Sequence, residues 1–188
     1  MNLGAIAFFM SEIIVFNKPF QVMSQFTDTQ NRAHLGDYID APGFYPAGRL
    51  DYDSEGLMLL TDEGKLQQTI SGSDWHKTYL IQVEGIPKAK DLNRLRTGIT
   101  VKDYQTRAVD VAVLAKKPGW LWPRTPPVRF RKKIPTSWLT ITLNQGKNRQ
   151  VRHMLAAVNH PVLRLVRIQI GEIKLANLKP GEWRRQTD

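Results

Sequence analysis

A chain of 188 residues with no cysteine and a formal net charge of +10 has no disulfides, no thiolate catalysis and no cysteine-bound zinc or iron–sulfur centre. Its hydrophobic content of 41% and charged content of 23% are ordinary for a globular protein, and the length predicts one large domain or two small lobes around a real core. The four histidines, at 34, 76, 153 and 160, lack metal-ligand spacing, so no metal is expected.

Residues 1–11 hold a short apolar patch, Ala5 to Met10, with no basic residue before it. It is too short to cross a membrane and lacks the charged start of a secretory signal. A disordered or non-essential lead-in is expected there, and a cytoplasmic protein with no membrane partner. Ile13 to Phe16 predicts a strand, closed by the turn Asn17-Lys18-Pro19. Gly43 to Pro46 reads as loop. Leu57 to Leu60 predicts a buried strand, ended by Asp62-Glu63-Gly64, and Lys65 to Ile70 a short helix. Thr78 to Val83 is a strand stopped by Gly85. Pro87 then fits the first turn of a helix running to about Arg96, with Gly98 as its stop.

Ile99 to Leu114 predicts two strands with a polar bend near Asp103. Lys116 to Pro135 holds five prolines and two tryptophans, a density that no regular element tolerates, and is expected to be an extended insertion. Trp138 to Leu143 alternates as a half-exposed strand, and Val162 to Ile170 is a further strand. Between them, Val151, Met154, Leu155 and Val158 form the core stripe of a helix, with Asn148 as N-cap. The predicted class is α+β, with a mixed, largely antiparallel central sheet and flanking helices. A single catalytic domain over 12–188, carrying the insertion at 116–135, is the expected organisation. No apolar seam is evident, so a monomer is the default.

The charge is unevenly spread. Between Val111 and Gly171 there are twelve Lys or Arg residues and no Asp or Glu, while the rest of the chain sets 15 basic residues against 17 acidic ones. Such a surplus is the electrostatic footprint of a phosphate backbone. Taken alone it fits a non-catalytic RNA-binding or ribosome-assembly factor as well as an enzyme. Gly146, Lys147, Arg149 and Arg152 gather at the start of the predicted helix, where backbone N–H groups already favour anions.

The segment Gly48-Arg49-Leu50-Asp51-Tyr52-Asp53-Ser54-Glu55-Gly56-Leu57 sets three carboxylates at alternate positions after an arginine and ends on a glycine. With Asp62 in twelfth place it approximates a calcium loop. An aspartate there is too short for the usual bidentate ligand, and neither flank is an amphipathic helix. The other reading is catalytic, because a carboxylate beside an arginine favours its ionised form. Spacing alone does not choose among Asp51, Asp53 and Glu55.

Gly48-Arg49-Leu50-Asp51 with Asp53-Ser54-Glu55-Gly56-Leu57 resembles the catalytic motif of RNA pseudouridine synthases of the RsuA branch. Further landmarks follow in order. Phe16-Asn17-Lys18-Pro19 resembles the family's lysine–proline motif, and Lys77 to Gly85 its tyrosine strand. Gly146 to Met154, followed by His160 to Leu165, resembles its distal arginine helix and strand. The Trp120 to Arg124 stretch, Pro126-Pro127, Ile134 to Leu139, and the absence of an S4-like domain before Ile13 look most like the E-type members that act on large ribosomal RNA. Tyr52 and His153 stand where basic residues are common.

The resemblance implies a fold with an RNA-binding cleft and the conversion of a specific uridine in ribosomal RNA, of the large 23S kind, to pseudouridine, with no cofactor. It implies Asp51 as nucleophile on a flipped-out base, attacking uracil or ribose C1′. Arg152 is expected to pair with Asp51, and Tyr79 to lie against the base and assist removal of the C5 proton. Arg49 is expected to fill the vacated stack or hold the displaced phosphate. Lys18, Lys147, Arg149 and Arg167 are expected on backbone phosphates, and Trp120 and Trp122 either stack on bases or form a small satellite core.

Overall fold

The computed structural model describes residues 12–72, 75–129 and 131–187; the expected lead-in at 1–11 lies outside them. In chain order the elements are β1 (Glu12–Lys18), β2 (Tyr45–Pro46), β3 (Glu55–Thr61), α1 (Gly64–Ser71), β4 (Lys77–Glu84), α2 (Ala89–Thr97), β5 (Thr100–Val101), β6 (Tyr104–Gln105), β7 (Asp110–Leu114), β8 (Thr136–Leu143), α3 (Gln150–Ala157), β9 (Val162–Ile170), β10 (Ile173–Lys174) and β11 (Trp183–Thr187). Nine strands join one sheet along the path β11-β1-β3-β9-β4-β8-β7, with β2 on β3 and β10 on β9. Among the described strand pairings of this sheet, β3–β9 is parallel and the others are antiparallel. The sheet is thus mixed and largely antiparallel, as expected.

The uninterrupted apolar runs of β1 and β3 reflect burial on both faces. Ile13, Val15, Leu57 and Leu59 point toward α1, where they meet Leu66 and Ile70. The alternate residues Ile14, Phe16, Met58 and Leu60 pack on the other face with Leu35, Ile39 and Phe44. In β4, Ile81 and Val83 face the core under α2 and α3, joined by Leu95, Val151, Met154, Leu155 and Val158. Leu80 faces the opposite side, against Leu121, Trp138 and Val166. The helical stripe read from Val151 to Val158 is therefore the buried face.

Four boundaries differ from the expectations. Tyr45 and Pro46 pair with Thr61 and Leu60 rather than remaining loop. The 99–114 segment makes three short strands, because the Lys102–Asp103 bend closes a two-residue hairpin that leaves the main sheet. Pro87 precedes the N-cap Lys88 of α2, whose backbone N–H is satisfied by the Asp91 carboxylate at 3.0 Å. The N-cap of α3 is Arg149, not Asn148, in a left-handed conformation with φ of 52°. Among the described residues of 116–135 there is no helix, and no strand before Thr136.

Candidate active site

The carboxylate-bearing loop enters β3 after a tight turn in which the Ser54 N–H donates to the Asp51 carbonyl at 3.0 Å. Leu50 is buried and anchors the loop from below. Ser24 secures the same point, accepting from the Leu50 N–H at 3.1 Å and donating to its carbonyl at 2.5 Å. Gly56 ends the loop at φ of 102°, where an added Cβ would press into the backbone of Arg167. Glycine is required here both for its dihedral and for the close approach of β9.

All three carboxylates of the motif meet arginines of the acid-free stretch. Arg149 grips the Asp53 carboxylate through two bonds of 2.9 Å and reaches Asp51 at 3.4 Å. Arg152 donates to the Asp53 carbonyl at 2.7 Å and to the Ser54 hydroxyl at 3.1 Å, and lies 3.3 Å from the Asp53 carboxylate. Glu55 is almost wholly buried and is held by Arg164 through two bonds of 2.8 Å. Trp122 of the insertion donates its indole N–H to the same carboxylate at 2.9 Å.

The expected Asp51–Arg152 ion pair is not formed. Asp53 and the turn backbone take the Arg152 guanidinium, and Arg149 from the start of α3 pairs with Asp51 instead. Partial burial pushes the Asp53 carboxyl up, but hydrogen bonding by Arg149 and the charges of Arg152 and Arg149 outweigh it, so Asp53 titrates below the usual carboxylate value. Burial drives Arg152 down from its ordinary value against the opposing pull of Asp53.

A cleft of about 340 Å3 opens beside this loop, lined by Arg49, Asp51, Tyr79, Lys147, Arg149 and Arg152, with Leu165 and Arg167 also on its wall. Tyr79 sits mid-strand in β4, opposite Arg167 of β9 and Ile141 of β8. It is half-buried and packs at the junction of two apolar clusters. The cleft thus brings together Asp51, Tyr79 and Arg152 with Arg49, Lys147, Arg149 and Arg167, while Lys18, Trp120 and Trp122 do not line it.

Two of the expected phosphate ligands are internal. Lys18 is fully buried and donates to the carbonyls of Pro19 at 2.9 Å and Val22 at 2.8 Å. Burial lowers its ammonium to about 7, although Glu55 pulls the other way. Lying beneath the loop rather than on the surface, it is not a backbone-phosphate ligand. Arg167 is 4% exposed and donates to the carbonyls of Leu57 at 2.8 Å and Arg49 at 3.4 Å, stapling the two ends of the loop. Its Nη2 is buried without a hydrogen-bond partner. It cannot reach an RNA backbone from there, but it remains on the cleft wall. Arg49 and Lys147 are exposed and line the cleft.

The tryptophans divide. Trp122 is tied into the body through Glu55, whereas Trp120 is 55% exposed beside it, the ring centroids 6.4 Å apart. Sequence reasoning missed Arg164 and Ser54 as anchors. Neither has a local signal, since Arg164 lies 109 positions from its partner Glu55. No group of three or more His, Asp or Glu among the described residues could hold a metal ion, and no helix is long and apolar enough to cross a membrane. Glu55, a ligand in any calcium reading, is already held by Arg164 and Trp122.

The family model for RNA pseudouridylate synthase matches residues 12–157. The chain is 49% identical over 175 residues to ribosomal large subunit pseudouridine synthase E of Vibrio parahaemolyticus, covering 92% of this chain and 73% of the relative. It is 47% identical over 176 residues to the synthase of the same name from Xanthomonas campestris, covering 92% and 94%. Ribosomal large subunit pseudouridine synthase B of Bacillus subtilis is 32% identical, covering 90% and 66%. A crystal structure of a pseudouridylate synthase superposes with a TM-score of 0.77 at 25% identity, covering 94% of this chain and 70% of that one.

Proposed function

The chain belongs to the RNA pseudouridylate synthase family and is an RNA pseudouridine synthase, and from that premise we propose that it isomerises one uridine of large ribosomal RNA, of the 23S kind, with Asp51 as nucleophile. The observation that carries the assignment of roles is the single cleft that Asp51 shares with Tyr79 and Arg152. The choice of RNA is supported by relatives that carry the name ribosomal large subunit pseudouridine synthase E.

The reaction breaks N1–C1′, forms C5–C1′, and takes a proton from C5 while N1 gains one, which restores the ring with no net change in atoms. Nothing is oxidised and no group is added, so the proposed chemistry needs no cofactor. A uracil stacked in a helix cannot reach Asp51, so the base turns out into the cleft at a cost of roughly a few kcal/mol. Its ring lies against Tyr79, which is held rigidly by pairing on both sides of β4. Asp51 stands at the cleft mouth, with Arg149 orienting its carboxylate.

Arg152 acts one step removed, fixing the turn that aims Asp51 through the Asp53 carbonyl and Ser54. The exposed Arg49 and Lys147 at the rim are proposed to take the flanking phosphates. Replacing Asp51 by Ala should abolish isomerisation while RNA affinity stays within a few-fold. Pseudouridine mapping across ribosomal RNA after gene deletion should lose one site. Full activity in the Asp51 variant would refute the nucleophile, and an unaltered map would refute the substrate.

A further inference from the structure

Glu55 follows the Asp51 turn directly and opens β3, so its side chain sets where the root of that turn is fixed. Opposite Val166 in the parallel β3–β9 pairing, it points to the face of the sheet that carries Leu121 and Trp138. Arg167 and Tyr79, paired one position on, face the other way, toward the cleft. The loop is therefore held from both faces: by Arg149 and Arg152 on the cleft side, and through Glu55 on the far side.

The far-side grip is a closed knot. Arg164 donates twice to Glu55 at 2.8 Å and once to the Trp122 carbonyl at 2.9 Å, while the Trp122 indole N–H donates to Glu55 at 2.9 Å. The guanidinium also lies 5.7 Å from the centre of the Trp122 ring. Around the knot, Leu121 is buried against Leu80, Trp138 and Val166. Arg124, two residues on, stacks over Phe20 at 4.1 Å and reaches the Leu163 carbonyl at 3.4 Å. The start of the proline-rich insertion is thus built into the sheet directly behind the catalytic turn.

We propose that Trp122 is a positioning residue for the isomerisation: through its N–H bond to Glu55 it braces the root of the Asp51 turn, making the insertion a back-support for the catalytic loop. This rests on the reading of Asp51 as nucleophile. A buried carboxylate satisfied by three donors is immobile, and losing one leaves an acceptor lone pair unfilled in a low-dielectric site. The freed carboxylate then shifts toward Arg164 and takes the start of β3 with it. Displacements of that kind, on the order of 1 Å, are enough to slow an oriented attack.

The test is the full chain carrying Trp122→Phe, which keeps the ring and removes the N–H. The single-turnover rate on the RNA substrate should fall about tenfold or more, with RNA Kd unchanged within twofold. Amide exchange at residues 51–55 should accelerate, while that in β4 and β8 stays as in the parent. Should the phenylalanine variant melt below the assay temperature, benzothienylalanine at position 122, which replaces only the N–H by sulfur, gives the same reading. An unchanged rate, or a loss confined to Kd, overturns the proposal, the latter by making Trp122 an RNA contact. Asp51→Asn is run in parallel. If it alone abolishes the rate while Trp122→Phe does not, the nucleophile stands and the brace falls. If it leaves the rate intact, both fall.

Discussion

Arg149 clasps Asp53 with two parallel 2.9 Å bonds while its Nη1 also touches Asp51 at 3.4 Å. One guanidinium at the left-handed N-cap of α3 thus spans Asp51 on the cleft wall and Asp53 beside it. It sets how the loop is charged before any RNA arrives.

Replacing Arg149 by Ala should lower isomerisation much more than stability. The side chains of Arg149 and Asp53 are 41% and 39% exposed, and such pairs contribute up to about 1 kcal/mol. The Asp53 carboxyl titrates below its ordinary value in the folded state. Its stabilisation is therefore complete above the ordinary carboxylate range and is lost as pH falls through the depressed folded value. Urea unfolding should show a small deficit for the variant at neutral pH that closes on acidification. A deficit unchanged at low pH would mean that the pair is not its source.

Lys18 gives the opposite pH signature. Its folded value is lowered to about 7 from 10.5, so between those limits the unfolded chain holds a proton that the folded chain lacks. Stability therefore rises with pH across that window. Below it the cost is constant. Lys18→Met should remove that slope. Parallel stability–pH lines for the two proteins across that window would show that the ammonium stays charged when buried.

Gly56→Ala should destabilise the fold by roughly 2 kcal/mol or more. The new methyl meets the Arg167 and Val166 atoms of β9, and φ of 102° is strained for alanine. The β3–β9 pairing rests on this approach, so activity should fall with the melting temperature. An unshifted melt would contradict the packing described.

The outward cations should separate from the inward ones by salt dependence. Lys132 and Lys133 are exposed on the insertion. Each, if it neutralises a phosphate, adds about 0.7 to 0.9 to the slope of log K against log salt. Their alanine variants should flatten that slope without affecting unfolding. Arg164→Lys should leave the slope and cost several kcal/mol of stability instead, since lysine cannot reproduce a buried two-pronged grip. The converse pattern would place Arg164, not the insertion lysines, on the RNA.

The strands were legible because β1, β3, β4 and β9 are written as apolar runs, and α3 because Val151, Met154, Leu155 and Val158 fall on one stripe. The cleft was legible through its motif residues, Asp51 and Tyr79 among them. What escaped was partnership. The acid-free stretch reads as a surface for polyanions, yet Arg149, Arg152 and Arg164 answer Asp51, Asp53 and Glu55, and Arg167 staples the loop backbone. Those contacts join residues roughly a hundred positions apart, and nothing local distinguishes an arginine that is spent internally from one facing solvent. Lys18 was misplaced for the same reason: its neighbours in sequence mark a turn, but only the tertiary fold buries it.

The strand order carries one more implication. β9 lies between β3 and β4, so within the sheet the strand that follows Asp51 and the strand bearing Tyr79 are joined through β9. A chain truncated before β9 therefore lacks the strand that joins them. The last of these three strands in the sequence is thus the clasp between the two sides of the cleft.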